Sequence, residues 1–89
     1  MRITCDPAKR ERTLRERGLD FEDAATVFAG KIATRADQRF DYGEDRFITA
    51  GHLAGRMVVV WTPRGNARHV ISMRYAHARE QRRWNEHLG

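Results

Sequence analysis

The spacing of hydrophobic and polar positions changes several times along the chain, and each change predicts an element. Residues 1–5 read as a short edge strand. Asp6-Pro7 marks a helix start: an aspartate at the N-cap accepts from unpaired first-turn amides, and proline at the next position gives up an N–H that the helix does not use. Residues 7–17 have only Ala8 and Leu14 apolar and place Glu11/Arg15 and Arg12/Glu16 one turn apart, which predicts a surface helix ended by Gly18. Asp20 caps a second helix whose first turn carries Glu22 and Asp23, as the helix dipole prefers. Phe21, Ala24, Ala25 and Phe28 follow at i, i+3, i+4 and i+7 and Gly30 closes the segment, so this helix packs on the core.

From Ile32 the period shortens to two. A weak strand is expected at 32–36, a polar loop at 37–44, a strand at 46–51 and a turn at 52–55. Residues 56–62 form a nearly continuous apolar, largely β-branched run, the pattern of a central strand covered on both faces. Pro63-Arg64-Gly65-Asn66 predicts the turn into a return strand at 67–74. Strict alternation would place Arg68, Val70, Ser72 and Arg74 on one face with Met57, Val59 and Trp61, and Ala67, His69, Ile71 and Met73 on the other. Residues 76–88 read as a basic helix with Ala76, Glu80, Trp84 and Leu88 in line and Arg79, Arg82 and Arg83 to one side. The expected fold is α+β, one domain over residues 1–89: a twisted antiparallel sheet of four strands packed against the N-terminal helices, with a C-terminal helix.

Length and charge narrow the function. A chain of 89 residues buries only about 60 to 65% of its unfolded surface, so partner binding bears on its stability. Cys5 is the single cysteine, which leaves no intramolecular disulfide and fits a reducing compartment. Residues 1–7 hold no apolar leader core and the run 57–61 is too short to span a bilayer, so a cytoplasmic protein without membrane attachment is expected. Residues 1–55 carry ten charges of each sign, whereas 56–89 carry seven arginines against Glu80 and Glu86, so the whole net charge of +5 sits in the last third. Only Lys9 and Lys31 among the 17 basic residues are lysines. Guanidinium suits bidentate phosphate contact; the pattern fits RNA binding or an ordinary solvated surface. No P-loop, dinucleotide fingerprint, Ser-His-Asp arrangement or metal-ligand spacing occurs, so neither cofactor nor metal is expected.

Five ordered segments then carry a resemblance: Asp6-Pro7 with Lys9, GLDFEDAA at 18–25, RFIT at 46–49, Arg64-Gly65, and Ile71-Ser72-Met73-Arg74 followed by Ala76 and Glu80. Together they span nearly the whole chain and resemble the BrnT family of toxins. That resemblance implies a RelE-like ribonuclease fold and metal-independent cleavage of RNA. It also implies a BrnA-type antitoxin with a ribbon-helix-helix part, through which the hetero-oligomer would reach operator DNA. The chain departs from the family pattern in three places. Cys5 stands where a tryptophan is common, Glu16-Arg17 where Lys-His precedes the glycine, and Trp84 where a tyrosine is frequent. A mechanism that needs an imidazole before Gly18 or a phenol at position 84 therefore does not carry over.

Metal-free RNA cleavage must deprotonate the 2′-hydroxyl, stabilise a dianionic phosphorane-like state and protonate the leaving oxygen. Arg64, Arg74 and Arg79 are the candidate groups for the second task, with Arg68 beside Arg74 on the expected strand face. Glu80 is either the base or the partner that holds Arg74 or Arg79. His69 is expected toward the core, and His52, His77 and His87 have no visible partner. Lys9, Arg68, Arg82 and Arg83 are candidate RNA contacts. Tyr75 and Trp61 are candidates to stack on a splayed base, with core packing the other reading of Trp61. Besides the ribonuclease, two alternatives fit: a toxin on the same scaffold directed at gyrase, and a non-catalytic RNA-binding module.

Overall fold

The computed structural model describes residues 2–39 and 41–88, with the backbone alone for 56–58, 87 and 88. The expected facing of Met57 and the expected roles of His87 and Leu88 lie outside the described side chains. In chain order the elements are β1 (Arg2–Cys5), α1 (Pro7–Arg17), a 3₁₀ turn (Phe21–Asp23), α2 (Ala24–Ala29), β2 (Ala33–Ala36), β3 (Phe47–His52), β4 (Arg56–Arg64), β5 (Ala67–Tyr75) and α3 (Ala78–Leu88). No helix among the described residues is long and apolar enough to cross a membrane.

The caps form as the sequence chemistry requires. Asp6 accepts from the Ala8 N–H with Pro7 in the first turn, and the Gly18 N–H donates to the Leu14 carbonyl at the far end of α1. Asp20 accepts from the Glu22 N–H and is held by a two-pronged contact from Arg10, at 2.7 and 3.0 Å. The single second helix of the sequence reading is instead a 3₁₀ turn followed by a six-residue helix.

The sheet has five strands in the order β1-β5-β4-β3-β2 and is mixed, not a four-stranded antiparallel sheet. β1 supplies the difference: it pairs in parallel with the first half of β5, Arg2 opposite Ala67 through Cys5 opposite Val70. Its return to the sheet is possible because α1, the 3₁₀ turn, α2 and the β2–β4 meander intervene, a connection long enough for a parallel pair. β4 is the central strand, as its apolar run predicted. The β4–β5 hairpin closes tightly through Gly65 and Asn66 alone, with Gly65 at φ +59°, a backbone region open to glycine.

Each face of the sheet has its own apolar cluster. Leu19, Phe21, Ala24 and Val27 pack on Val59, Val70 and Met73 on the first face, and Ala76 and Trp84 pack with Ile48 and Ala50 on the second. α3 therefore covers the face opposite the N-terminal helices, near β2, instead of joining them.

A bulge decides what β5 presents. Trp61 pairs with Val70 but Val60 pairs with Ser72, leaving Ile71 as an extra residue. The extra residue inverts the alternation beyond it. Val70 and Met73, three apart, consequently both enter the first core, and the expected common face of Arg68, Val70, Ser72 and Arg74 is split after Val70. His69 points away from that core and shares a 3.0 Å hydrogen bond with Thr4.

Candidate active site

The second face holds a cleft of about 280 Å³ lined by Arg17, Arg35, Arg39, Ile48, Val60, Ser72, Arg74 and Glu80. Its floor is sheet: Ile48, Val60 and Ser72 sit on adjoining strands in register, Ile48 opposite Val60 and Val60 opposite Ser72. Arg35 shares that face because it pairs with Ile48 at the β2 edge. Arg74 reaches it because the bulge has turned the end of β5 over. Arg17 arrives from the end of α1: β1 pairs β5 only as far as Val70, and beyond it the Met73 carbonyl accepts from Arg17 Nη1 at 2.9 Å.

Glu80 is fixed on three sides. Arg74 Nη1 donates to Oε1 at 2.7 Å and Nη2 to Oε2 at 2.9 Å, and the His77 backbone N–H donates to Oε1 at 3.0 Å. The backbone contact is that of an N3 glutamate reaching back to the N-cap of its own helix. The Arg74 fork, aided by that N–H, depresses the Glu80 carboxyl to about 2 against the cost of its partial burial. Arg39 is ordered similarly by Asp37, whose side chain is only 1% exposed, through contacts of 2.8 and 2.9 Å. The Tyr42 hydroxyl also donates to Asp37, and the Arg39 pairing lowers that carboxyl to about 2. Two carboxylates thus answer four guanidinium groups. Arg17 and Arg35 have no ion-pair partner among the described residues, so the cleft keeps an excess of positive charge over a floor of Ile48, Val60 and Ser72.

The candidates read from the sequence divide around this cleft. Arg74 and Glu80 meet within it. Arg79 is exposed and does not line it. Arg64 lies at the hairpin turn, 4.0 Å from Glu44, while Arg74 lies at the opposite end of the β4–β5 ladder. At about 3.3 Å per residue that separation is roughly 20 Å, too far for both to hold one phosphate. Arg68 is on the other face, its guanidinium carbon 4.0 Å from the Phe28 ring centroid and 5.2 Å from that of Trp61. Trp61 is occupied as a core residue: its indole N–H donates to Thr49 at 2.9 Å and its ring packs edge-on to Phe28. Lys9 lies near enough to His69 to add to the lowering of its pKa, which burial and Arg64 dominate. Tyr75, 49% exposed, closes β5, and Arg82 is exposed on α3.

Arg17, Arg35 and Arg39 are not among the site candidates that the sequence offers. Arg17 had one signal: it occupies the position where the resembled pattern has histidine. Arg35 and Arg39 had none, because a short edge strand and a polar loop give no register by themselves. The largest cavity described, about 470 Å³, lies over the loop bearing Asp37, Asp41, Glu44 and Asp45, whose charge opposes a phosphate.

Comparison with known proteins matches residues 5–80 to the family model described as the ribonuclease toxin BrnT of type II toxin-antitoxin systems. Among solved structures the chain is similar to the crystal structure of the Brucella abortus ribonuclease toxin BrnT, at 30% identity and a TM-score of 0.66. That match covers 86% of this chain and 97% of the other. No curated protein matches the chain.

Proposed function

The chain belongs to the BrnT family of ribonuclease toxins of type II toxin-antitoxin systems, and from that premise we propose that it is a metal-independent endoribonuclease that cleaves mRNA at the arginine cleft and so inhibits translation. One observation carries the assignment of the site: four guanidinium groups line one cleft over the sheet, with carboxylate partners for only two of them. A cleft built this way favours a group whose negative charge grows during reaction, because ordered donors need not reorganise as charge develops. A phosphodiester attacked by its neighbouring 2′-oxygen passes through such a dianionic state.

In this reading Arg17 and Arg74 bind the phosphoryl oxygens of the cleaved bond, while Arg35, from the β2 edge, and Arg39, from its tether on Asp37, add to the field. Glu80 orients Arg74. A carboxylate with a pKa of about 2 is a weak base near neutral pH, whereas its two-point grip fixes a guanidinium plane well. The 2′-hydroxyl gives its proton to solvent as the O2′–P bond forms, and water protonates the 5′-oxygen as the P–O5′ bond breaks, so the rate enhancement rests on electrostatic stabilisation and on alignment of the 2′-hydroxyl with the phosphorus. Arg64, Arg68 and Arg79 play no part at the phosphate, and Lys9, Tyr75 and Arg82 contribute at most to the attraction of RNA to the surface.

A type II system supplies an antitoxin. Here it is proposed to be a BrnA-type ribbon-helix-helix protein encoded beside the toxin in the same cytoplasm, joining it in a hetero-oligomer that binds operator DNA through the antitoxin alone.

The test is incubation of antitoxin-free protein with long single-stranded RNA in EDTA, beside Arg74→Ala. Fragments with 2′,3′-cyclic phosphate ends, at least tenfold fewer in the variant, are the expected result. Intact RNA with inhibited DNA supercoiling would overturn the reading in favour of a gyrase-directed toxin. RNA bound and left whole, with ribosomes present or absent, would overturn it in favour of a binding module.

A further inference from the structure

The arginine cleft does not end at Arg35. A groove of about 210 Å³ continues past the β2 edge, lined by Ala33, Thr34, Arg35, Arg83 and Trp84. Arg35 lines both cavities. A third cavity, which shares Arg35, Arg39 and Ile48 with the cleft, runs alongside the same edge. The three depressions adjoin at Arg35, which lines each of them.

Arg35 is held at that junction. Its guanidinium carbon lies 5.7 Å from the centroid of Trp84, within the range in which a cation is attracted to an indole face. Trp84 itself is 5% exposed and packed with Ile48, Ala50 and Ala76, so it is an anchored platform. Arg83 stands exposed one residue before Trp84 on α3. Among the described residues neither Arg35 nor Arg83 has an ion-pair partner. The groove thus combines a small apolar floor at Ala33 with two cationic walls and adjoins the cleft at Arg35.

We infer that this groove is a second phosphate subsite, in which Arg35 and Arg83 hold the phosphate next to the one in the central cleft as the strand crosses the β2 edge. The inference rests on the ribonuclease reading for the identity of the strand, RNA, and adds its path and the contacts at a neighbouring nucleotide. Arg83 is a positioning residue: it touches a phosphate that does not react. One consequence is that recognition is one-sided. Contacts extend from the cleaved bond toward β2 and α3, while on the β5 side Arg17 is tied to the Met73 carbonyl. A dinucleoside monophosphate, with no neighbouring phosphate, is expected to be a poor ligand.

The test is a binding cycle that needs no turnover. A fluorescently labelled, non-cleavable 2′-O-methyl RNA of about six nucleotides is titrated into wild type and Arg83→Gln by anisotropy, with each phosphate replaced in turn by a neutral methylphosphonate. In wild type, neutralising the phosphate in the groove is expected to weaken binding about fivefold, in the range of one partly exposed charge contact. In Arg83→Gln binding is already weaker by a similar factor, and that one replacement has no further effect. The slope of log Kd against log salt falls by about 0.7 in the variant, the loss of one single-strand phosphate contact. Arg83→Lys restores part of the affinity, which separates charge from helix packing. Additive losses at every phosphate, or no binding of the oligonucleotide at all, would overturn the subsite. Coupling at one position together with uncleaved RNA in EDTA would leave the subsite standing and remove the catalytic reading instead.

Discussion

Arg68 and Arg74 stand on opposite faces of β5 although they are six residues apart, an even separation that an unbroken strand would place on one face. Ile71, left without a partner between the Trp61–Val70 and Val60–Ser72 pairs, is the cause. The same inversion lets both Val70 and Met73 enter the core under the N-terminal helices and delivers Arg74 to the cleft.

Deleting Ile71 should leave a folded protein with its cleft intact. The pairs on either side already set Val70 opposite Trp61 and Ser72 opposite Val60, so removing the unpaired residue between them closes a regular ladder in which Val70 and Met73 still face the core and Arg74 still faces the cleft. The expected loss is that of an ordinary single change, about 0.5 to 3 kcal/mol. A urea melt checks this, and loss of the cooperative transition would show that β5 cannot straighten.

Arg68→Met should leave RNA cleavage within about twofold of wild type. Arg68 Nε is buried with no hydrogen-bond partner, and its guanidinium lies over the Phe28 ring, so an apolar chain of similar length fills the same place and removes the unmet donor. Stability is expected to change by less than about 1 kcal/mol, whereas Arg68→Ala, which also removes the stem, should cost more. Cleavage assays with thermal melts of both variants decide it, and a loss of more than tenfold in Arg68→Met would return Arg68 to the site.

Much of the fold was legible because it is local. Asp6-Pro7, Gly18 and Asp20 act through neighbours two to four residues away, and the β4 run announces a buried strand by composition. The bulge and the place of β1 were not legible. The place of β1 depends on pairing between segments some 65 residues apart, Arg2 with Ala67, and the bulge lies within a hairpin whose alternating pattern at 67–74 reads equally well with or without an extra residue. For the site, Arg74 and Glu80 are near in sequence and were seen together. Arg17, Arg35 and Arg39 join them only through the sheet, and Arg64 seemed close only because a hairpin turn is near its own strands in number, not in space.

Glu80→Gln should lower stability at neutral pH and flatten its acid dependence. The folded-state pKa of Glu80 is depressed from 4.5 to about 2, so its contribution is fully present above the unfolded value and is lost as pH falls from about 4.5 through 2. With the pair about one-third exposed to solvent, that contribution is about 1 to 2 kcal/mol. Wild type should lose it across this window while the variant does not, so the gap in denaturant midpoint narrows toward pH 2. A gap constant from pH 7 to 2 would show that the fork does not stabilise the fold.

Gly51→Ala should be destabilising by about 1 to 3 kcal/mol, the usual cost of overfilling a packed interior. A β-carbon there would lie 2.6 Å from Val27 Cγ1 and 3.1 Å from Ile32 Cγ2, where α2 approaches β3 closely. The double variant Gly51→Ala, Val27→Ala should recover part of the loss, since the β-branched methyl at position 27 is the first obstacle. Equal melting temperatures for wild type and Gly51→Ala would mean that α2 moves aside freely.

Arg17 offers the sharpest probe of how the cleft works without an imidazole. Wild-type cleavage is expected to show no inflection in log kcat near pH 6.5, because no imidazole is among the residues that line the cleft and Glu80, at a pKa of about 2, stays ionised throughout the accessible range. Arg17→Ala removes one of the two cleft cations that lack a carboxylate partner and should lower kcat by about 10- to 100-fold, the scale of one charge-stabilising donor. Arg17→His is the informative exchange. It places a group with an ordinary pKa of about 6.5 at the end of α1, where its charged form substitutes for the guanidinium only below that pH. Its rate should fall as pH rises from 6 to 8 while that of wild type does not. If instead Arg17→His gains activity toward higher pH, the neutral imidazole is acting as a base, proton abstraction limits the wild-type rate, and the electrostatic account of the cleft gives way to one in which general-base catalysis is the missing component.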